Sequence, residues 1–169
     1  MRGNLFMDSQ STDAGSSMLP ETRSGAIGTV VACGGVPLAA WVVAGRWPFG
    51  MGGSLTVTYA LTIGTALVVL HLFVGLAILR TARRGYRTRP ATVWTVVAAW
   101  GCGILLGLMI PDITSRGLQA ILTGPDEPGL GIVIGVSNPL GIIMLALSVT
   151  ALVLATVDSH GGPRRDEED

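Results

Sequence analysis

The sequence predicts an all-α integral membrane protein in which four transmembrane helices form a compact bundle. Apolar residues make up 49% of the chain and charged residues only 13%, whereas soluble domains usually carry about 25% charged residues. Four long segments contain no Asp, Glu, Lys or Arg, and the charged residues collect in the connections and tails. This separation of apolar segments from charged connections is typical of a multi-pass membrane protein.

Each of the four uncharged segments is long enough to cross about 30 Å of hydrocarbon at about 1.5 Å per residue. Because a backbone in lipid has to satisfy its own hydrogen bonds, we expect all four to be helices. Proline marks several ends: Pro90 precedes the third segment, Pro111 ends it, and Asn138 with Pro139 resembles an N-cap and first helical residue. The predicted spans are residues 24–44, 54–79, 91–110 and 139–157.

The connection over residues 111–138 is the longest one, and we expect it to lie outside. Residues 113–122 are predicted to form a short helix on the membrane surface, and residues 124–129 have turn chemistry. Residues 130–137 are apolar again. We favour a separate segment packed against the bundle over a tilted extension of the fourth helix kinked at Pro139, because Asn138 and Pro139 form a strong start signal.

Residues 1–23 and 158–169 are predicted to be disordered cytoplasmic tails, since both are polar and the second is acidic. Asp112, Asp126 and Glu127 lie in turn-like sequence of the long connection, and we interpret them as solvated surface. All eleven basic residues are arginine, which points to a bacterial genome rich in G and C. The predicted location is therefore a bacterial plasma membrane.

Five arginines in the short connection after the second span set the predicted orientation. Positive residues stay on the cytoplasmic side, so this connection is predicted to be inside, and an even number of spans then places both termini inside. We interpret the cluster as a topology anchor, with contact to anionic lipid headgroups as the alternative. Nucleic acid is not an expected partner, because the net charge is zero. The five are Arg80, Arg83, Arg84, Arg87 and Arg89.

Each predicted helix carries small residues along one face. Helices in membranes associate through close van der Waals contact, so such faces mark helix–helix contacts. We expect them to meet inside a compact bundle, with a homo-oligomer contact as the alternative. Pro37 in the first helix removes a backbone hydrogen bond and predicts a kink. The predicted packing residues are Gly28, Gly35, Gly64, Gly75, Gly103, Gly107, Gly141 and Ser148.

His71 is the only readily ionisable side chain in the sequence of the four predicted spans, which makes it a candidate functional residue. A proton-responsive group is one interpretation. A haem ligand is another, although the other histidine, His160, falls in the C-terminal tail. A third is a metal site with Cys33 and Cys102, whose predicted directions do not converge. We favour a neutral imidazole that is hydrogen-bonded inside the bundle, and we predict no cofactor and no metal. The predicted hydrogen-bond partner of His71 is the helix backbone, Trp100, Ser148 or Thr150.

The residue patterns do not favour an enzyme. The sequence has no paired-carboxylate cluster, no nucleotide-binding loop, no redox cysteine pair and no motif context for a Ser/His/Asp triad. We therefore predict a non-enzymatic membrane protein, either an accessory or scaffolding subunit of a membrane assembly or a small homo-oligomer. The alternative is a small transporter or channel that uses His71.

Overall fold

The computed structural model describes residues 19–115 and 117–163, with side chains from residue 25 onward. Long helices dominate this part of the chain: α1 is Leu19–Ala44, α2 is Thr56–Arg83, α3 is Pro90–Met109 and α4 is Gly129–Gly161. All four are long and apolar enough to cross a membrane. Between α3 and α4 lies a short antiparallel hairpin of β1, Asp112–Thr114, and β2, Gly117–Gln119.

The four helices pack together as two antiparallel pairs. Helix α1 contacts α2 most extensively and α3 contacts α4, while α2 also packs against α4 and α1 against α3. The order around the bundle is therefore α1, α2, α4, α3. We call the end with residues 45–55 and 110–128 the hairpin end. The opposite end, with residues 84–89 and the last turn of α4, is the arginine-loop end.

Helix α4 begins at Gly129 and continues through Pro139. The prediction of a separate segment over residues 130–137 is therefore wrong. Leu130 and Val133 are buried against Ala120 in a small core beneath the hairpin. Burial of these side chains outweighs the start signal, although Pro139 removes one backbone hydrogen bond and its ring crowds the carbonyl oxygen one turn earlier.

The predicted surface helix over residues 113–122 is also wrong, since the chain forms the β1–β2 hairpin there. Thr114 pairs with Gly117 at the turn, and Gly117 has a φ of 98°. That left-handed conformation favours glycine and turns the chain back on itself. The described chain is thus mostly helical, with four long apolar helices packed together and one short hairpin.

Two predicted tail boundaries also shift. Helix α1 begins at Leu19, five positions before the predicted start at Ser24, and α4 continues to Gly161. Asp158 and Ser159 are buried at the end of α4, so residues 158–161 belong to the bundle and not to a tail. The predicted disorder of residues 1–18 and 164–169 lies outside the described residues.

Glycines let α1 and α2 approach closely. A Cβ atom on Gly75 would lie 2.5 Å from Ala32 Cβ and 2.6 Å from the Gly28 carbonyl oxygen. A Cβ atom on Gly35 would lie 2.6 Å from His71 Cβ. These distances are shorter than real carbon contacts, so a larger residue would force the two helices apart.

The remaining predicted packing residues differ in how tightly they are enclosed. A Cβ atom on Gly103 would lie 2.9 Å from Leu38 Cδ1, and one on Gly64 would lie 3.0 Å from Val43 Cγ2. Gly107 lies against the Trp41 indole, Ser148 is buried, and Gly141 has room for a Cβ at 3.7 Å from Leu106 Cδ2. Helix α1 continues through Pro37, which is exposed; the kink stays a prediction.

Candidate functional site

His71 lies in the middle of α2, and its side chain is only 2% exposed. The Nδ1 atom lies 2.9 Å from the Leu67 carbonyl oxygen, one turn earlier in the same helix. Because a carbonyl only accepts hydrogen bonds, Nδ1 carries the proton and donates it. Gly35 leaves the space in α1 that the His71 side chain occupies. The ring is thus hydrogen-bonded to its own helix inside the bundle, and the neutral state of the imidazole stays a prediction.

The Trp100 ring of α3 lies beside His71, with 6.3 Å between the ring centres. Within the described residues, the indole Nε1–H of Trp100 is buried and has no hydrogen-bond partner. In a neutral His71 ring that donates Nδ1–H, Nε2 would be an acceptor. The centre of the bundle therefore holds the buried His71 ring beside the unpartnered Trp100 donor.

The other candidate ligands lie elsewhere. Cys33 is exposed and Cys102 is half-buried. His160 lies in the last turn of α4, where its Nδ1 is 2.8 Å from the Thr156 carbonyl oxygen. Among the described residues, no group of three His, Cys, Asp or Glu side chains lies close enough together to hold a metal ion. The described ligand-type side chains thus do not converge on His71.

A buried ion pair at the hairpin end is a feature that the sequence analysis missed. Arg46 follows α1, Asp112 follows α3, and both side chains are fully buried, with 3.5 Å between Arg46 Nη2 and Asp112 Oδ2. Arg46 donates to the carbonyl oxygens of Ile110 at 3.3 Å and Val43 at 3.0 Å. Its guanidinium also lies 5.0 Å from the centre of the Tyr59 ring, a cation–π distance.

The Asp112 carboxylate is surrounded by donors. Oδ1 accepts hydrogen bonds from the backbone N–H groups of Ile113 at 2.7 Å and Leu55 at 3.1 Å. Oδ2 accepts from the N–H of Gly53 at 3.0 Å and the Thr56 hydroxyl at 3.1 Å. A buried carboxylate requires such pairing. The interpretation of Asp112 as solvated surface is therefore wrong, whereas Asp126 and Glu127 are exposed as expected.

Position relative to the spans is the signal that could have identified this pair. Arg46 and Asp112 each follow the end of a predicted span by two positions, so both charges fall at the same depth when the helices alternate in direction. Opposite charges at one depth favour a bridge between the first and third connections. Neither connection alone contains both charges, so the pair is not evident from either segment.

A second buried carboxylate lies at the arginine-loop end. Asp158 of α4 is 1% exposed and accepts hydrogen bonds from the Thr92 hydroxyl at 2.7 Å and the Arg89 N–H at 3.1 Å. Arg89 Nε lies 3.5 Å from Asp158 Oδ1, and the Arg89 side chain is 46% exposed. Arg84 Nη1 donates to the Ser159 carbonyl oxygen at 2.9 Å. The end of α4 is thereby fastened to the loop between α2 and α3.

The five predicted anchor arginines fall into two groups: three that contact the end of the chain's last helix or the residues after it, and two that are exposed on α2. Arg84 and Arg89 contact the end of α4, and the backbone N–H of Arg87 donates to the Pro163 carbonyl oxygen at 3.0 Å. Arg80 and Arg83 lie in the last turns of α2 and are exposed. The structure thus brings three arginines to the end of α4 or the residues that follow it, and two lie on the outward side of α2.

Three groups of buried polar side chains are candidate sites: the His71–Trp100 pair, the Arg46–Asp112 ion pair and the surroundings of Asp158. An open cleft beside Asp112 is lined by Trp47, Thr56, Val57 and three glycines, with no charged side chain among them. The chain matches no family model, no curated protein and no solved structure.

Proposed function

We propose that this chain is a non-enzymatic integral membrane protein that serves as an accessory or scaffolding subunit of a membrane assembly, or as a small homo-oligomer. The observation that carries the proposal is the apolar outward surface of all four helices. Large apolar side chains are more than 40% exposed on each helix, among them Val30, Phe73, Ile104 and Ile142. Soluble monomers rarely expose continuous apolar surface of this extent.

Polar side chains on the outward surface support the same proposal. Several exposed threonines donate their hydroxyl hydrogen to a carbonyl oxygen earlier in their own helix, so they present no unsatisfied donor to the surroundings. Lipid requires this internal pairing, because it offers no hydrogen-bond partner. The threonines are Thr29, Thr62, Thr65, Thr95, Thr150 and Thr156.

We further propose that the arginine-loop end faces the cytoplasm, with both termini inside and a bacterial plasma membrane as the location. The excess of arginine at that end supports this orientation. Single-cysteine variants in a cysteine-free background test it with a membrane-impermeant maleimide. We expect Ser115→Cys to be labelled in intact cells and His160→Cys only after lysis. The reverse pattern would contradict the orientation.

Five charged side chains of the described chain form contacts that join parts of the bundle to one another. This structural use of charge supports a scaffolding protein over a catalyst. Arg46 and Asp112 pair between two connections, Asp158 joins α4 to the start of α3, and Arg84 and Arg89 contact the end of α4. The decisive experiment is purification from the native membrane in mild detergent, with mass spectrometry and a mass measurement of the particle. A stoichiometric membrane partner or a defined oligomer supports the proposal, and an isolated monomer contradicts it.

A small transporter or channel is the second candidate. The observation that favours it is the unpartnered Trp100 N–H beside the buried His71 ring at the bundle centre. Flux of protons and small ions into liposomes measures this function directly. Flux that the wild type supports and His71→Ala abolishes would favour the transporter over the scaffold.

A further inference from the structure

We propose that α2 binds one anionic phospholipid on its outward face, with the lipid phosphate between Arg80 and Arg83. The acyl chains follow Val69, Phe73 and Leu76 along the same face. We call these five residues the lipid face. The inference rests on the proposed membrane location, and it selects two of the five loop arginines as the lipid contact.

The spacing places all five residues on one stripe. Steps of four, three, four and three positions return to the same side of an α-helix, and α2 is regular from Thr65 to Arg83. Val69 is 43% exposed, Phe73 is 51% exposed, and both arginines are exposed. Leu76 is half-buried. The face thus has two cations at one end and three apolar side chains below them, two of which are exposed.

The opposite side of α2 is occupied by the bundle, which fixes the direction of the lipid face. Val74, Ile78 and Thr81 are buried on that opposite side, and the buried Ala77 lies at the border of the lipid face. Helix α2 packs against α1 and α4 there. The lipid face therefore points away from the other helices of this chain.

Its dimensions match one leaflet. Eleven positions separate Val69 from Arg80, about 16 Å of helix at about 1.5 Å per residue. Half of the hydrocarbon core is about 15 Å thick. A phosphate held at Arg80 thus leaves acyl chains in contact with the apolar part of the face over the depth of a leaflet.

Arg80 and Arg83 differ from the neighbouring arginines in their contacts. Arg84 Nη1 donates to Ser159 and Arg89 Nε contacts Asp158, so these guanidinium groups are directed at α4. Arg80 and Arg83 are one turn apart on the exposed side. Guanidinium groups bind phosphate oxygens with paired hydrogen bonds, which makes a phosphate between them the fitting ligand.

The test is native mass spectrometry of the full chain titrated with phosphatidylglycerol or phosphatidylcholine in mild detergent. We expect one preferred phosphatidylglycerol per chain. The double variant Arg80→Gln, Arg83→Gln should lose about 25-fold in affinity, since each basic residue near an anionic headgroup contributes about fivefold. The single variants Arg80→Gln and Arg84→Gln form the matched pair, and only the first should weaken phosphatidylglycerol binding by about fivefold. Phe73→Ala should weaken binding of both lipids.

Two results would overturn the inference while leaving the proposed function intact. Equal loss in Arg84→Gln and Arg80→Gln would indicate diffuse attraction to the whole loop. Equal affinity for the two lipids in the wild type would exclude a phosphate site selective for anionic lipid. Carbonate extraction of native membranes separates the two proposals, because release of the chain into the soluble fraction would contradict both.

Discussion

The two ends of the bundle each contain one buried carboxylate, but the surroundings of the two carboxylates differ. Asp112 at the hairpin end faces Arg46, and both side chains have no exposed surface. Asp158 at the arginine-loop end is held by a hydroxyl and a backbone N–H, and its arginine partner, Arg89, is 46% exposed. The ion pair at the hairpin end is thus fully buried, whereas the ion pair at the arginine-loop end is partly exposed to solvent.

This difference indicates where the fold depends on charge. When one member of a buried ion pair is removed, no water can take its place beside the remaining charge. A partly exposed charge can instead be hydrated. The hairpin end should therefore be sensitive to a single charge change. The arginine-loop end should tolerate one, although its charges are far more conspicuous in the sequence.

The largest effect is expected for Asp112→Asn. This change leaves the Arg46 guanidinium buried without a counter-ion and removes an acceptor from the loop that begins α2. Loss of one partner of a buried ion pair costs about 3–5 kcal/mol. Reversible unfolding in detergent, followed by circular dichroism, measures the change.

Asp126→Asn is the matched control for Asp112→Asn, because Asp126 lies in the same connection and is exposed. We expect the free energy of unfolding of this control to stay within about 0.5 kcal/mol of the wild type. Similar stabilities for the two variants would mean that the Arg46–Asp112 pair does not stabilise the hairpin end.

Asp158→Asn should have the second largest effect. The carboxylate accepts from Thr92 and from the Arg89 N–H, and hydrogen bonds to a charged group contribute about 1.5–3 kcal/mol. Hydration of the exposed Arg89 side chain keeps the loss below that of Asp112→Asn. A larger loss for Asp158→Asn than for Asp112→Asn, measured by the same unfolding assay, would reverse the comparison between the two ends.

Gly75→Ala tests the apolar middle of the bundle, which lies between the two ion pairs at its ends. The new methyl group would lie 2.5 Å from Ala32 Cβ and should destabilise the protein by about 1–3 kcal/mol through overpacking. Gly101→Ala is the control, because a Cβ at Gly101 has no atom within 4 Å. Replacing that helical glycine should stabilise the protein by about 0.5–1 kcal/mol. Changes of the same sign in the unfolding free energies of Gly75→Ala and Gly101→Ala would contradict close packing at Gly75.

The smallest effects on stability are expected for the loop arginines. Comparing two of them tests whether the arginines at the arginine-loop end differ in their contacts. Arg84→Gln removes the contact to Ser159 and should cost about 0.5–1.5 kcal/mol of unfolding free energy. Arg80→Gln should stay within about 0.5 kcal/mol, because its side chain is exposed. Equal losses in thermal or denaturant unfolding would mean that the two arginines share one environment.

The sequence alone determined the helices and their number, because an uncharged apolar run of about 20 residues has few structural alternatives. It also identified most of the glycines at close helix contacts. Gly28, Gly35 and Gly75 lie between α1 and α2, where a Cβ would meet the neighbouring helix. Spacing on a helix is a local property, so a repeat of small residues predicts a face without knowledge of the partner.

Tertiary structure decided which charges are buried. Asp112 follows a helix in a polar stretch, and only the arrival of Arg46 and the N–H groups of residues 53 and 55 makes its burial favourable. These groups lie more than 50 positions earlier in the chain. A pattern within one segment cannot report partners from another segment, so the ion pair was missed.

The same reason explains the error at α4. Locally, Asn138 and Pro139 begin a helix well, but Leu130 and Val133 are buried against Ala120, and this packing extends the helix back to Gly129. The sequence by itself thus determined the apolar helices and their packing faces, which depend on residues a few positions apart. Tertiary structure decided the helix ends, the hairpin and the paired charges, because their free energies depend on contacts between distant segments.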